Sequence, residues 1–238
     1  MIDEEHKLDI RTLESASEMQ AIVTVFSQVW GSATPLVGVE LLRAVSHCGG
    51  YVAAAFDTAG NVLGASFGFL ARHRGAPALH SHVTGVLPGV QHSGIGRAMK
   101  NHQRQWAADQ GLEWVTWTFD PLVRRNAWFN IEVLHAEVAE YLVDFYGPMT
   151  DSVNRRDETD RLVVAWPTAE TDDARPVTTG ATVEVATPED IVVLRRTDPA
   201  EAHRWRLTIR EELGGRLDAG WAVVGFTREG CYLLQERA

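Results

Sequence analysis

The stretch Val86-Leu87-Pro88-Gly89-Val90-Gln91-His92-Ser93-Gly94-Ile95-Gly96-Arg97 constrains this chain more than any other. It joins a strand-like run, Ala78 to Val86, to an amphipathic helical run, Gly94 to Gln110, with two glycines at the join. In the helical run Ile95, Met99, His102/Gln103 and Trp106 recur at steps of three and four, the spacing of one buried helix face. Gly94 and Gly96 then fall in the first turn, where backbone N–H groups lack intrahelical partners and the dipole is positive. With no side chains in the way, a phosphate can approach those amides closely. A glycine-punctuated turn that binds nothing is the alternative.

Three glycine loops compete for this segment. A P-loop ends in Gly-Lys-Ser/Thr, whereas Gly96 is followed by Arg97-Ala98, so that reading fails. A dinucleotide fingerprint needs a third glycine where Met99 stands, and it opens a βαβ unit without several strands before it. The pattern that remains is Gln/Arg-x-x-Gly-x-Gly/Ala, which Gln91-His92-Ser93-Gly94-Ile95-Gly96 fits in full.

The surrounding elements follow from periodicity and punctuation. Leu8 to Leu13 reads as a strand, and Ser15 to Trp30 as a helix opened by Ser15-Ala16-Ser17-Glu18 and closed by Gly31. A second helix spans Val37 to His47. Tyr51 to Phe56 and Val62 to Ala71 form a hairpin around Asp57-Thr58-Ala59-Gly60-Asn61. After the glycine loop and its helix come a strand, Trp114 to Phe119, a helix, Asn126 to Leu134, and strands Glu137 to Phe145 and Arg161 to Trp166. Pro167 to Gly180 loses all apolar period and reads as a linker. Beyond it lie a strand at Val183 to Val185, a helix from Ala200 to Leu213, and a hairpin of Trp221 to Phe226 with Cys231 to Leu234. This tail of about 55 residues is too small to be comfortable alone, so it is expected to pack on the core or on a second subunit, as in a homodimer.

Composition excludes several classes. The chain has 238 residues, 45% of them hydrophobic, ample for one core and a small appendage. No run approaches the ~18 apolar residues of a membrane span, and the charged start Met1 to Lys7 is unlike a secretory signal. Cys48 and Cys231 make no disulfide framework and lack metal spacing; a cytoplasmic protein is expected. The net charge of −10 disfavours nucleic-acid and anionic-membrane partners. An acidic surface suits a cationic acceptor, or simply solubility.

At the Gln91–Gly96 loop the chain resembles the GNAT superfamily of acyl-CoA-dependent acyltransferases, where that loop cradles the CoA pyrophosphate. The element order β-α-α-β-β-β-α-β-α-β-β is similar too, and the resemblance covers about Leu8 to Trp166. Trp117-Thr118-Phe119-Asp120-Pro121-Leu122, Asn126-Ala127, Phe129-Asn130, Tyr146-Gly147 and Asp160-Arg161 further resemble a bacterial subgroup of predicted acetyltransferases with a C-terminal extension. The implied class is α/β (α+β): a mixed, mostly antiparallel central sheet with flanking helices, and a small C-terminal α+β extension. The implied division is an acyltransferase domain over 1–166, a linker over 167–180 and the extension over 181–238.

The resemblance implies acetyl-CoA or another acyl-CoA as co-substrate, no metal, and direct attack by an amine in a ternary complex. The backbone around Val86 would bond the pantetheine amides. Gln91, His92, Ser93, Gly94, Ile95, Gly96 and Arg97 would surround the pyrophosphate, with Lys100 as further charge and Asn126 also on the cofactor. For a general base the candidates are His80 and His82, which with Thr84 share a strand face by the period of two. His80 stands where histone-type members resemble one another in carrying a catalytic glutamate, and histidine can do that work. Alternatively each is a hydrogen-bonded strand histidine, or His80-x-His82 is half a metal site with His73 or His135. The family's usual acidic tyrosine is replaced by Ile131; Tyr146 or Tyr141 could substitute, although packing is the plainer role for both. Arg124 and Arg125 are either a carboxylate clamp for the acceptor or solvated arginines. The expected reaction is acyl transfer to a small-molecule amine such as an amino acid. The alternatives are a protein or peptide N-acetyltransferase, and a catalytically silent acyl-CoA-binding module.

Overall fold

The computed structural model describes residues 8–31, 35–91, 93–147, 157–169 and 178–238. The charged start, His92 and residues 170–177 of the expected linker lie outside the described residues. The chain divides into two compact units, Met1–Thr116 and Trp117–Ala238.

The first unit contains β1 (Asp9–Thr12), α1 (Ala16–Trp30), α2 (Val39–His47), β2 (Tyr51–Phe56), β3 (Val62–His73), β4 (Ala76–Val86), α3 (Ile95–Asp109) and the first half of β5 (Trp114–Phe119). Its strand order is β1-β2-β3-β4-β5; neighbours run antiparallel except the parallel pair β4 and β5. Helix α1 starts where the sequence places it. The Glu18 amide donates to Ser15 Oγ at 3.3 Å and the Ser15 amide to the Glu18 carboxylate at 3.4 Å, a reciprocal capping box. It stops at Gly31, whose φ of 58° is a left-handed conformation that glycine adopts without strain.

Met19, Ile22, Val23 and Phe26 of α1, with Leu42 of α2, pack on Val52, Ala54, Ala65 and Phe67. Ile95 and Met99 of α3 pack on Ala55 instead. Since adjacent strand residues point to opposite faces, α1 and α2 cover one side of the sheet and α3 the other. That explains the unbroken small apolar run of β2, which is buried on both faces.

The second unit holds the rest of β5 and α4 (Arg124–Trp128), which continues into a π-helical turn at Phe129–Val133. There follow β6 (Glu137–Leu142), β7 (Arg161–Pro167), β8 (Thr178–Ala186), α5 (Ile191–Thr197) and α6 (Pro199–Ile209). A second π-helical turn, Arg210–Gly214, leads to α7 (Gly215–Asp218), β9 (Trp221–Phe226) and β10 (Cys231–Arg237). Here β5, β7 and β6 lie in that order, β6 antiparallel to β7, and β8-β10-β9 form a three-stranded antiparallel sheet.

Two expectations change in this unit. The strand expected at Val183 to Val185 begins at Thr178, so Thr178 to Gly180 belong to a strand. Helix α5 was not expected; the Asp190 carboxylate caps it by accepting from the Val193 amide at 3.0 Å. The extension is tied to the rest of the unit. Tyr232 Oη donates to the Pro121 carbonyl at 2.7 Å, and the Phe226 amide donates to Glu132 at 2.6 Å. Among the described residues no helix is long and apolar enough to cross a membrane.

Candidate functional site

Strand β4 carries the centre of the site. Its parallel pairing with β5 ends at His80, opposite Thr116, yet β4 runs on to Val86. Beyond His80 that edge has no strand partner among the described residues, leaving backbone groups of Ser81 to Val86 to be satisfied otherwise. The chain then turns. The Val90 amide donates to the Leu87 carbonyl at 3.3 Å and Ser93 Oγ to the Val90 carbonyl at 2.6 Å. Gln91 Nε2 reaches back to the Val86 carbonyl at 3.4 Å. Gln91 and Ser93 therefore brace the loop.

Gly94 is the N-cap of α3, with φ 84° and no side-chain cap. The helix begins one residue later than its sequence suggests, so Gly96 lies in the first turn and Gly94 just before it. A Cβ on Gly94 would meet nothing within 4 Å; the requirement for glycine there is conformational. The N–H groups of Ile95, Gly96 and Arg97 open an uncapped helix N-terminus, which favours an anion. Ile95 itself is buried against the core and Arg97 is exposed. Lys100 does not join them: it is 5% exposed, and Nζ donates to Ser81 Oγ at 2.9 Å and Gln103 Oε1 at 3.2 Å beneath the sheet.

The two histidines are brought together, with ring centroids 6.2 Å apart. Phe69, 41% exposed, lies 5.3 Å from the His80 ring and 5.6 Å from that of His82. Phe67 flanks His82 at 5.3 Å. Thr84 leaves this face. The register with β3 passes from Phe67–Val83 to Gly68–Ser81, so His82 is an inserted residue, a β-bulge that resets the alternation. Thr84 Oγ1 instead lies 2.7 Å from Ser66 Oγ and 3.3 Å from Ser81 Oγ. Glycine is needed opposite the bulge, because a Cβ on Gly68 would come within 2.6 Å of the His80 carbonyl oxygen.

His80 Nδ1 lies 3.2 Å from Thr116 Oγ1, which holds the ring by that nitrogen. Burial, then the neighbouring His82 and Lys100, push its pKa down to about 4, so the imidazole is neutral at pH 7. Burial also lowers His82 and brings Lys100 down to about 7.

The remaining candidates lie in the second unit. Tyr146 Oη is 3.1 Å from Thr118 Oγ1, and the Arg161 guanidinium sits 5.3 Å from its ring centroid. Tyr141 is committed elsewhere: its hydroxyl donates to Asp160 at 2.6 Å, and burial followed by that carboxylate pushes its pKa up. Arg124 donates through Nε to Thr187 Oγ1 at 3.1 Å and through Nη2 to the Thr187 carbonyl. Its fork ties α4 to the extension and is not directed at an acceptor, leaving Arg125, which is exposed. Asn126 is half-buried on α4. His135 occupies a left-handed turn, φ 54°. Among the described residues no group of three or more His, Cys, Asp or Glu is arranged to hold a metal ion.

Sequence reasoning missed a cluster in this unit. Asp120 accepts from Arg206 Nη1 and Nη2 at 3.0 Å each and also from Arg195 Nη2. Asp157 accepts from Arg195 Nε at 2.9 Å and Arg206 Nη2 at 3.0 Å. Burial alone would raise the Asp120 pKa, but Arg206 and Arg195 hold it far below the usual carboxylate range. Asp160, bonded to Arg210 at 2.8 and 3.0 Å, completes the group.

No family model and no curated protein matches the chain. Solved structures do. The ribosomal-protein-S18-alanine N-acetyltransferase from Escherichia coli aligns at 15% identity and TM-score 0.54, over 70% of this chain and 97% of its own. The ribosomal-protein-S5-alanine acetyltransferase from Vibrio fischeri aligns at 15% identity and TM-score 0.53, over 74% and 98%. A GNAT-family protein from Desulfovibrio desulfuricans aligns at 16% identity and TM-score 0.51, over 68% and 99%. With its mixed, mostly antiparallel sheet, flanking helices and glycine-bearing turn into α3, this chain has the GNAT fold.

Proposed function

We propose that the protein is an N-acyltransferase that moves an acetyl or other short acyl group from acyl-CoA to the amine of a small molecule, amino acids being the first class to test. One observation carries this reading. The edge of β4 from Ser81 to Val86, which has no partner strand among the described residues, leads through Gly89 and Gly94 into a helix N-terminus with no side-chain cap. That edge suits the amides of a pantetheine arm, and the helix terminus suits a diphosphate.

In this reading the amine nitrogen attacks the thioester carbonyl carbon, the C–N bond forms and the C–S bond breaks. The displaced proton passes to His80, directly or through water, and CoA leaves as a thiolate. A thiol of pKa near ~8.5 is a fair leaving group without a dedicated acid. His80 is neutral at pH 7 and able to accept, although a base of pKa about 4 takes the proton only as the nitrogen becomes acidic along the reaction path.

The test is thiol release from acetyl-CoA across a panel of amines, with CoA affinity measured in parallel. Amine-dependent release with small acceptors supports the proposal. Release only with peptides supports a second reading, a protein or peptide N-acetyltransferase, the kind of activity that the names of the Escherichia coli and Vibrio fischeri neighbours print for those proteins. Tight CoA binding without release identifies a silent binding module. Gly94→Glu should abolish CoA binding by charge and bulk. Gly94→Ala separates out the strain at φ 84°, about 1–2 kcal/mol.

A further inference from the structure

We propose that Lys100 is a positioning residue for His80: from the opposite face of β4 it pins the bulge through Ser81 and sets its ammonium beside the strand that carries the imidazole. The part played by His80 in catalysis rests on the acyltransferase reading; the arrangement itself does not.

Lysine is almost never fully buried without good partners, and Lys100 is 5% exposed. It belongs to the buried side of α3 with Met99, Gln103 and Ala107. From there Nζ donates to Ser81 and Gln103, Gln103 Nε2 donates to Ser66 Oγ at 3.2 Å, and Ser66 and Ser81 both meet Thr84. One connected set of side chains thus binds α3 to β3 and β4. It grips β4 at Ser81 and Thr84, on either side of the inserted His82. Ser81 is the chain neighbour of His80, so the anchor acts one residue from the candidate base.

The ammonium also acts through space. The charged or titratable groups that bear on His80 are His82 on its own strand and Lys100 from α3. Strand β3 presents Phe69 and β5 presents Thr116, both uncharged. A cation on one side and a second imidazole on the other disfavour protonation of the ring. Below pH 7 Lys100 is charged and supports burial in keeping His80 neutral; above pH 7 its own proton leaves and burial alone suffices.

The experiment is an NMR titration of the His80 ring protons in the parent protein, in Lys100→Met and in Ser81→Ala, with pH profiles of kcat/KM where turnover is observed. Lys100→Met should move the His80 midpoint upward by a few tenths of a unit, Lys100 being the smallest of the three influences on it, carrying the acid limb of the profile with it. Ser81→Ala keeps the ammonium and should leave the midpoint low. If Lys100→Met does not fold, Lys100→Gln serves in its place. A midpoint unchanged in the lysine variant, or raised equally by Ser81→Ala, overturns the proposal. Absence of amine-dependent thiol release in the parent defeats the acyltransferase reading instead, and the titration still decides the placement of Lys100.

Discussion

Each unit of the molecule buries a polar cluster, and the two are built on opposite principles. In the second unit full charges neutralise one another: Asp120 and Asp157 lie between Arg195 and Arg206, the latter 0% exposed. In the first unit Lys100 donates to a hydroxyl and an amide. Ion pairing holds Asp120 ionised despite burial; burial draws Lys100 toward losing its proton near pH 7. A cluster of matched charges is therefore electrostatically stiff across the physiological range, and one whose titration is set by burial is soft. The soft one sits behind the candidate active site.

The comparison breaks most visibly at Asp120. Asp120→Ala should cost about 3–5 kcal/mol, because it takes from two buried guanidiniums one of the two carboxylates they share. Urea unfolding at pH 7 checks this, and a loss below about 1 kcal/mol would mean the cluster relaxes or hydrates. The folded-state pKa of Asp120 is depressed, so its contribution is complete above the ordinary carboxylate pKa and lost only as pH falls below it. Stability from this cluster should be flat from about pH 5 to 9.

Lys100→Met tests the other side. The folded protein holds Lys100 near 7 against a reference value of 10.5. The burial cost is thus fully present below pH 7 and relieved as pH rises toward 10.5. Relative to the parent, the variant should gain up to a few kcal/mol at pH 6. That gain should shrink at pH 10, and an advantage independent of pH would contradict a soft cation. Gly68→Ala probes the bulge that turns Ser81 and Thr84 toward Lys100. Its Cβ would meet the His80 carbonyl at 2.6 Å, and overpacking of this kind costs about 1–3 kcal/mol. Loss of the close His80–Thr116 approach in a crystal structure of the variant is the accompanying sign. The smallest effect should come from Tyr141→Phe, which deletes one donor to Asp160. About 1 kcal/mol is expected, with no change in pH dependence between 5 and 9.

What the sequence disclosed, and what it hid, divides along range. Local chemistry was legible: the Ser15–Glu18 box, the Gly31 stop and the join from β4 into α3 all lie within a few residues. So was the nearness of His80 and His82 on β4. Thr84 was misplaced because a count of two cannot register an inserted residue. Lys100 reads as further charge for the pyrophosphate because its type outweighs its position, although Met99 and Gln103 beside it already mark the buried stripe. Helix α5 was missed since seven residues, Ile191–Thr197, hold too few turns for a period to declare itself. Asp120 stands beside Pro121 just past the end of β5, an ordinary place for a turn residue. Its partners lie 75 and 86 residues further on, and no local pattern points that far.

That separation bears on how the protein is made. On the ribosome Asp120 emerges 86 residues before Arg206, a delay of roughly 4–17 s at ordinary elongation speeds. Until those arginines arrive, Asp120, Asp157 and Asp160 cannot leave water, and the half of the unit already synthesised must wait half-assembled. Co-translational maturation of the second unit is thereby gated by its last helices, and a stall before Arg195 would leave a nascent chain exposed to proteases.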